Sequence, residues 1–129
     1  MSLDTSAILA ILLREDEAHA FIKLIGEAHS VGVGSPTLSE AGIVYGSRSG
    51  FELSRLHSFL WTAQVSVIPF GESHWSAAVT ACKVYGKGRH KAGLNYGDCL
   101  AYAAAKLAKQ PLLCKGNDFT QTDLTLVRY

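Results

Sequence analysis

The sequence predicts an α/β domain of three layers, with a central, mostly parallel sheet of four to five strands between two layers of helices. Short apolar runs alternate with helical segments along the chain, the pattern of a parallel sheet covered on both faces. At 129 residues the chain is long enough to bury one sizeable core, so residues 1–129 are read as a single domain. Apolar residues make up 48% and charged residues 18%, a balance that suits a packed interior and argues against disorder. No internal repeat or low-complexity linker interrupts the pattern.

Met1 to Asp4 reads as a very short opening strand, with Thr5 or Ser6 as the N-cap of a helix over residues 7–13. The charge run from Arg14 to Glu17 is solvated and starts a second helix, in which Ala18, Phe21, Ile22 and Ile25 recur at helical spacing. Residues 30–35 form a second strand and turn. Pro36 suits the first turn of a third helix, where its missing N–H costs nothing, and Gly50 ends it. A fourth helix over residues 52–62 turns Leu53, Leu56, Phe59 and Leu60 inward. Residues 64–69 alternate and are β-branched, which predicts a third strand ended by Pro69. There follow a helix over 72–85, a glycine-bounded loop over 86–93, an Ala-rich helix over 98–109 and a fourth strand over 111–114. Residues 125–127 are a candidate fifth strand.

The net charge of +1 neither demands nor excludes a polyanionic partner, so local patches must decide. Cys82, Cys99 and Cys114 are odd in number and lack a CxxC spacing. They read as small buried residues in a reducing compartment, not as disulfide or zinc ligands. There is no basic leader, Asp4 interrupts the first apolar run, and nothing approaches a membrane span in length. The expectation is a cytoplasmic protein with no membrane partner.

Three acids stand alone in small or apolar segments: Asp4 near the N-terminus, Glu40 in the third helix, and Asp98 before the Ala-rich helix. Ionised carboxylates are costly to desolvate unless something pairs with them, and no Lys or Arg lies close in sequence to Asp4 or Glu40. Open parallel sheets form sites at the carboxyl ends of their strands. Asp4, Glu40, Asp98 and the Asn117-Asp118 pair can all reach one such edge. Brought together, they would repel one another, and the roughly 1 kcal/mol offered by a helix N-terminus is too little to offset this. An oxygen-only set of this kind calls for Mg²⁺, or Mn²⁺. Taken singly, Asp4 and Asp98 also read as helix caps, Glu40 as a surface residue, and Asp123 as part of a polar turn.

The ordered set Asp4-Thr-Ser-Ala, Ser39-Glu-Ala, and Tyr96-Gly-Asp-Cys-Leu-Ala-Tyr-Ala-Ala-Ala before a strand resembles the PIN-domain family. Residues 85–99, together with Leu113-Cys-Lys-Gly-Asn-Asp-Phe-Thr-Gln-Thr-Asp, are similar to the VapC-type ribonuclease toxins of bacterial toxin–antitoxin pairs. The resemblance covers essentially the whole chain. It implies a PIN-like α/β/α fold, Mg²⁺- or Mn²⁺-dependent cleavage of RNA, a homodimer that can enter a larger assembly, and inhibition by a cognate antitoxin. By position, the family's metal-binding acids match Asp4, Glu40 and Asp98, and a more variable fourth acid is assigned to Asp118 beside Asn117. Ser6 matches the hydroxyl residue after Asp-Thr that orients Asp4 or a metal-bound water, and is placed with the substrate-binding residues.

Chemically, a carboxylate-held Mg²⁺ lowers the pKa of a water and positions it for in-line attack on a phosphodiester, with one or two ions compatible with the sequence. The densest basic segment, Lys83 with Lys87, Arg89, His90 and Lys91, is expected to bind the phosphate backbone. Tyr45, Trp75 and Tyr96 offer stacking surfaces for bases but fit a core or a dimer interface better. A receiver module is disfavoured because its third strand would end in an Asp, where this chain has Val67-Ile-Pro-Phe. Dinucleotide and P-loop motifs are incomplete. The alternatives that remain are a non-catalytic RNA- or protein-binding domain of the same fold and a DNA-directed nuclease.

Overall fold

Strands of two or three residues open the architecture, because each apolar run is cut short by a helix cap or a proline. The computed structural model describes all residues from Met1 to Tyr129. In chain order it contains β1 (Ser2–Leu3), α1 (Thr5–Leu12), α2 (Ala18–Glu27), β2 (Gly32–Gly34), α3 (Ser35–Ser49), α4 (Ser54–Thr62), β3 (Ser66–Ile68), α5 (Glu72–Tyr85), α6 (Tyr96–Ala108) and β4 (Leu112–Leu113). The sheet order is β3-β2-β1-β4 and every pairing is parallel. Ser2 stands opposite both Gly32 and Leu112, so β1 is central.

Side chains alternate across the sheet and define the two flanking layers. Leu113 packs with Leu3, Val33 and residues of α1 to α4, whereas its neighbour Leu112 packs with Leu94, Phe119 and residues of α5 and α6. The three-layer α/β/α arrangement is thus present. The helices end as their sequences direct: Pro36 occupies the first turn of α3, and Gly50 closes that helix with φ +65°.

Several boundaries differ from expectation for local physical reasons. Asp4, not Thr5 or Ser6, is the N-cap of α1, because its carboxylate accepts the Ser6 N–H at 3.0 Å. The run from Arg14 to Glu17 is a turn, with Arg14 at φ +57°, and α2 starts only at Ala18. Asn95 caps α6, which therefore begins two residues before Asp98. The fifth strand reduces to a single parallel bridge between Leu112 and Leu126. β3 is an edge strand with Val67 exposed. No helix is long and apolar enough to cross a membrane. All three cysteines are free, but Cys82 is exposed while Cys99 and Cys114 are buried.

Candidate active site

The chain leaves β1 towards β2 and β3, then returns to place β4 on the other side of β1. The crevice beyond the carboxyl ends of β1 and β4 lies at this reversal, where open parallel sheets form their sites. Asp4 follows β1 directly, Asp118 lies in the loop after β4, and α3 and α6 supply Glu40 and Asp98.

Asp4 is 8% exposed, and both of its side-chain hydrogen bonds with Ser6 fall on the same oxygen. Oδ2 accepts from the Ser6 backbone N–H at 3.0 Å and from the Ser6 hydroxyl at 2.5 Å. Ser6 Oγ in turn accepts the Lys115 backbone N–H at 2.9 Å, which ties the loop after β4 to the end of β1. Asp98 repeats this economy of oxygens. Its Oδ2 accepts the Asn95 N–H at 3.0 Å, while Asn95 Oδ1 accepts the Asp98 N–H at 2.8 Å, a reciprocal capping box. Each aspartate spends Oδ2 on a helix end. The cap and the site are two uses of one carboxylate.

Glu40 reaches the same place from α3. Its carboxylate lies so close to the Cα of Gly97 that a Cβ there would overlap Oε2, so residue 97 must be small for Glu40 to stand beside Asp98. Glu40 is exposed, as its reading as a surface helix residue has it, although its neighbours in sequence are small or apolar. Asp118 is exposed as well.

The electrostatics register this convergence. Burial pushes the Asp98 carboxyl up to about 6, and the charges of Asp118, Asp4 and Glu40 push the same way against the Asn95 hydrogen bond. Burial also raises Asp4, with Asp118 adding to it and the bonds from Ser6 opposing. The buried Cys114 thiol is pushed up to about 12 by burial and then by Asp4, Asp118 and Asp98. Lys115, whose backbone N–H bonds Ser6, does not relieve the cluster. Lys115 Nζ points to Glu15 at 2.7 Å and Glu17 at 3.1 Å.

No three of these side chains form a closed, ready-made cage. An open set suits a hard cation such as Mg²⁺, which keeps several waters and takes only one or two carboxylates. Four carboxylates with no basic side chain paired to them fit a divalent cation.

The basic segment divides. Lys87 and Arg89 line a cavity beside Asn95 and Tyr96, next to the first turn of α6. Lys91 is exposed on the same loop but does not line that cavity. His90 is half-buried: its ring meets Tyr85 edge-on at 5.3 Å, and its Nδ1 accepts the Ala92 N–H at 3.0 Å. It holds the loop in shape. Tyr45 belongs to the core, whereas Trp75 and Tyr96 are exposed. Sequence reasoning missed Asn95, although its spacing to Asp98 is that of a capping box, and it missed the close approach at Gly97.

The PIN domain family model matches residues 1–124. The chain belongs to the PIN domain family. Its relatives within that family include ribonuclease VapC36 of Mycobacterium tuberculosis, 44% identical with 96% of this chain and 91% of that protein covered. Ribonuclease VapC of Mycolicibacterium smegmatis is 41% identical, with 98% and 99% covered, and ribonuclease VapC30 of M. tuberculosis is 40% identical, with 98% of each covered. Among solved structures, the chain superposes on VapBC2 from Rickettsia felis, bound to a DNA fragment from their promoter, with TM-score 0.77, and on a toxin–antitoxin complex from Klebsiella pneumoniae with TM-score 0.73. Each is 16% identical, with 99% of this chain and 97% of that chain covered, a likeness of fold.

Proposed function

We propose that this protein is the toxin of a type II toxin–antitoxin pair, an endoribonuclease that hydrolyses RNA phosphodiesters with Mg²⁺ or Mn²⁺. The observation that carries the reading is the convergence of Asp4, Glu40, Asp98 and Asp118 at the sheet reversal in a chain whose relatives are named ribonucleases. A bound divalent cation supplies Lewis-acid stabilisation of the phosphate and an activated water at neutral pH.

The chain's own residues prepare that chemistry. Ser6 fixes the rotamer of Asp4 through Oδ2. Asn95 does the same for Asp98. Gly97 admits Glu40, and the bond from Lys115 N–H to Ser6 Oγ anchors the segment that carries Asp118. Asp4, Asp98 and Glu40 are assigned to the metal, with Asp118 completing the catalytic acids. Lys87 and Arg89, with Lys91 further along the loop, hold the RNA backbone, and His90 serves by shaping that loop. The antitoxin as partner, the homodimer and the cytoplasmic setting complete this reading.

Purified protein freed of any antitoxin should cut RNA with Mn²⁺ or Mg²⁺ and stop when the cation is chelated. Asp4→Asn should abolish cutting while the circular dichroism spectrum is kept, because Asn caps helices as well as Asp does. A wild type that cuts no RNA, or an Asp4→Asn variant that cuts equally well, overturns the assignment.

A further inference from the structure

The reaction chemistry leaves one neighbouring feature unused. An open cavity of about 850 Å³ lies between α5 and the start of α6, within the size range of small-molecule sites. Its lining is mostly apolar, with Val79 and Leu100 among its residues, and includes Lys83, Lys87 and Arg89. None of these cations takes part in an ion pair, since every ion pair in the chain involves Lys106 or Lys115. Tyr96 also lines the cavity, 82% exposed and two residues before Asp98.

An exposed aromatic ring, an apolar lining and unpaired cations make up the chemistry that holds one nucleotide. We propose that this cavity takes one unpaired nucleotide of the RNA, with its base stacked on Tyr96 and its phosphate held by Lys87 and Arg89. This rests on the ribonuclease reading and adds to it a residue that selects substrate. The competing occupant of the same face is a second copy of the chain. Lysine is depleted at the cores of protein interfaces, and unpaired cations facing their symmetry mates would repel. A polyanion neutralises them instead.

The test measures binding of short single-stranded RNAs by fluorescence anisotropy with divalent cations chelated, using a series of oligonucleotides that each lack one base. Wild type, Tyr96→Ala and Tyr96→Phe are compared, and their sizes are checked by sedimentation. Tyr96→Ala should weaken binding of the intact RNA by about tenfold, the effect of losing one stacked base, and Tyr96→Phe should not. Removing the base at one position should weaken the wild type by the same factor and the Tyr96→Ala variant no further. Equal losses for both proteins at every position, or no loss at all in Tyr96→Ala, overturn the pocket. So does a Tyr96→Ala variant that falls apart into subunits of unchanged RNA affinity, which would assign the face to a second copy. Cutting of the intact RNA in Mn²⁺ separates the two readings. A wild type that shows the Tyr96 signature without cutting refutes the nuclease and supports the pocket, whereas one that cuts without the signature refutes the pocket alone.

Discussion

Replacing Asp98 by Asn should stabilise the protein when divalent cations are chelated, even though it should destroy activity. The Asp98 carboxyl is pushed from an ordinary 3.8 up to about 6, first by burial and then by the charges of Asp118, Asp4 and Glu40. At about 1.4 kcal/mol per unit, that difference sets a ceiling of about 3 kcal/mol on what its ionisation costs the folded state. The carboxyl is only partly buried, and screening reduces the effect to about 1–2 kcal/mol. Asn keeps an acceptor for the Asn95 N–H, so the cap of α6 survives. In a chain of this size the gain corresponds to a rise in Tm of about 3–8 °C. The sign with pH follows from proton linkage. The folded protein holds this proton more tightly than the unfolded chain, so wild type suffers no penalty at low pH. It loses stability as pH rises from about 3.8 through about 6. Denaturant melts at pH 4 and pH 7.5 in chelator should therefore show the two proteins nearly equal at the first and separated at the second. Saturating Mg²⁺ or Mn²⁺ at pH 7.5 should stabilise the wild type by mass action and the variant much less. A variant less stable than wild type at pH 7.5, or a gap of equal size at both pH values, would refute the claim that like charge and burial raise this carboxyl.

Gly97→Ala should lower cutting by at least tenfold, because the new Cβ overlaps Glu40 Oε2; the check is kcat against KM on a defined RNA, with the melting curve as control for folding. Ser6→Ala removes the acceptor of the Lys115 N–H and the hydroxyl that fixes Asp4, and should cost about 1–2 kcal/mol in a urea melt. It should also weaken Mn²⁺ binding, measured by calorimetry. Neutralising Lys87 and Arg89 together should weaken RNA binding and reduce the slope of log K against log salt by about 1–2, one phosphate contact per cation. An unchanged slope would remove them from the backbone-binding surface.

Much of this was legible in the residues because the site is built from local signals. Asp4 ends an apolar run before helix-forming residues, and Asp98 precedes an Ala-rich helix, so each position could be read without its partners. The desolvation argument held for Asp4 and failed for Glu40, whose helix turns it outward; Glu40 is at the site through Gly97, a contact between residues 57 positions apart. His90 read as part of a basic surface; that its ring also meets Tyr85 edge-on was not legible, because sequence gives charge but not rotamer. Lys115 was the least legible. Its side chain pairs with Glu15 while its backbone reaches Ser6, and both contacts span about a hundred residues. The charge run at Glu15 and Glu17 looked solvated for the same reason.

The double duty of Asp4 and Asp98 also governs how this protein can be silenced. An alanine at residue 4 strips α1 of its cap at a cost of about 0.5–2 kcal/mol, and one at residue 98 removes the acceptor of the Asn95 N–H while the Asn95 cap remains. At residue 4 the alanine also leaves the Ser6 and Lys115 chain without its acceptor, so loss of activity arrives together with loss of stability. An asparagine keeps the cap and removes only the charge. Of the routes to an inert chain, the amide exchange is the one that preserves the shape any binding partner meets, so one atom separates a poison from its own decoy.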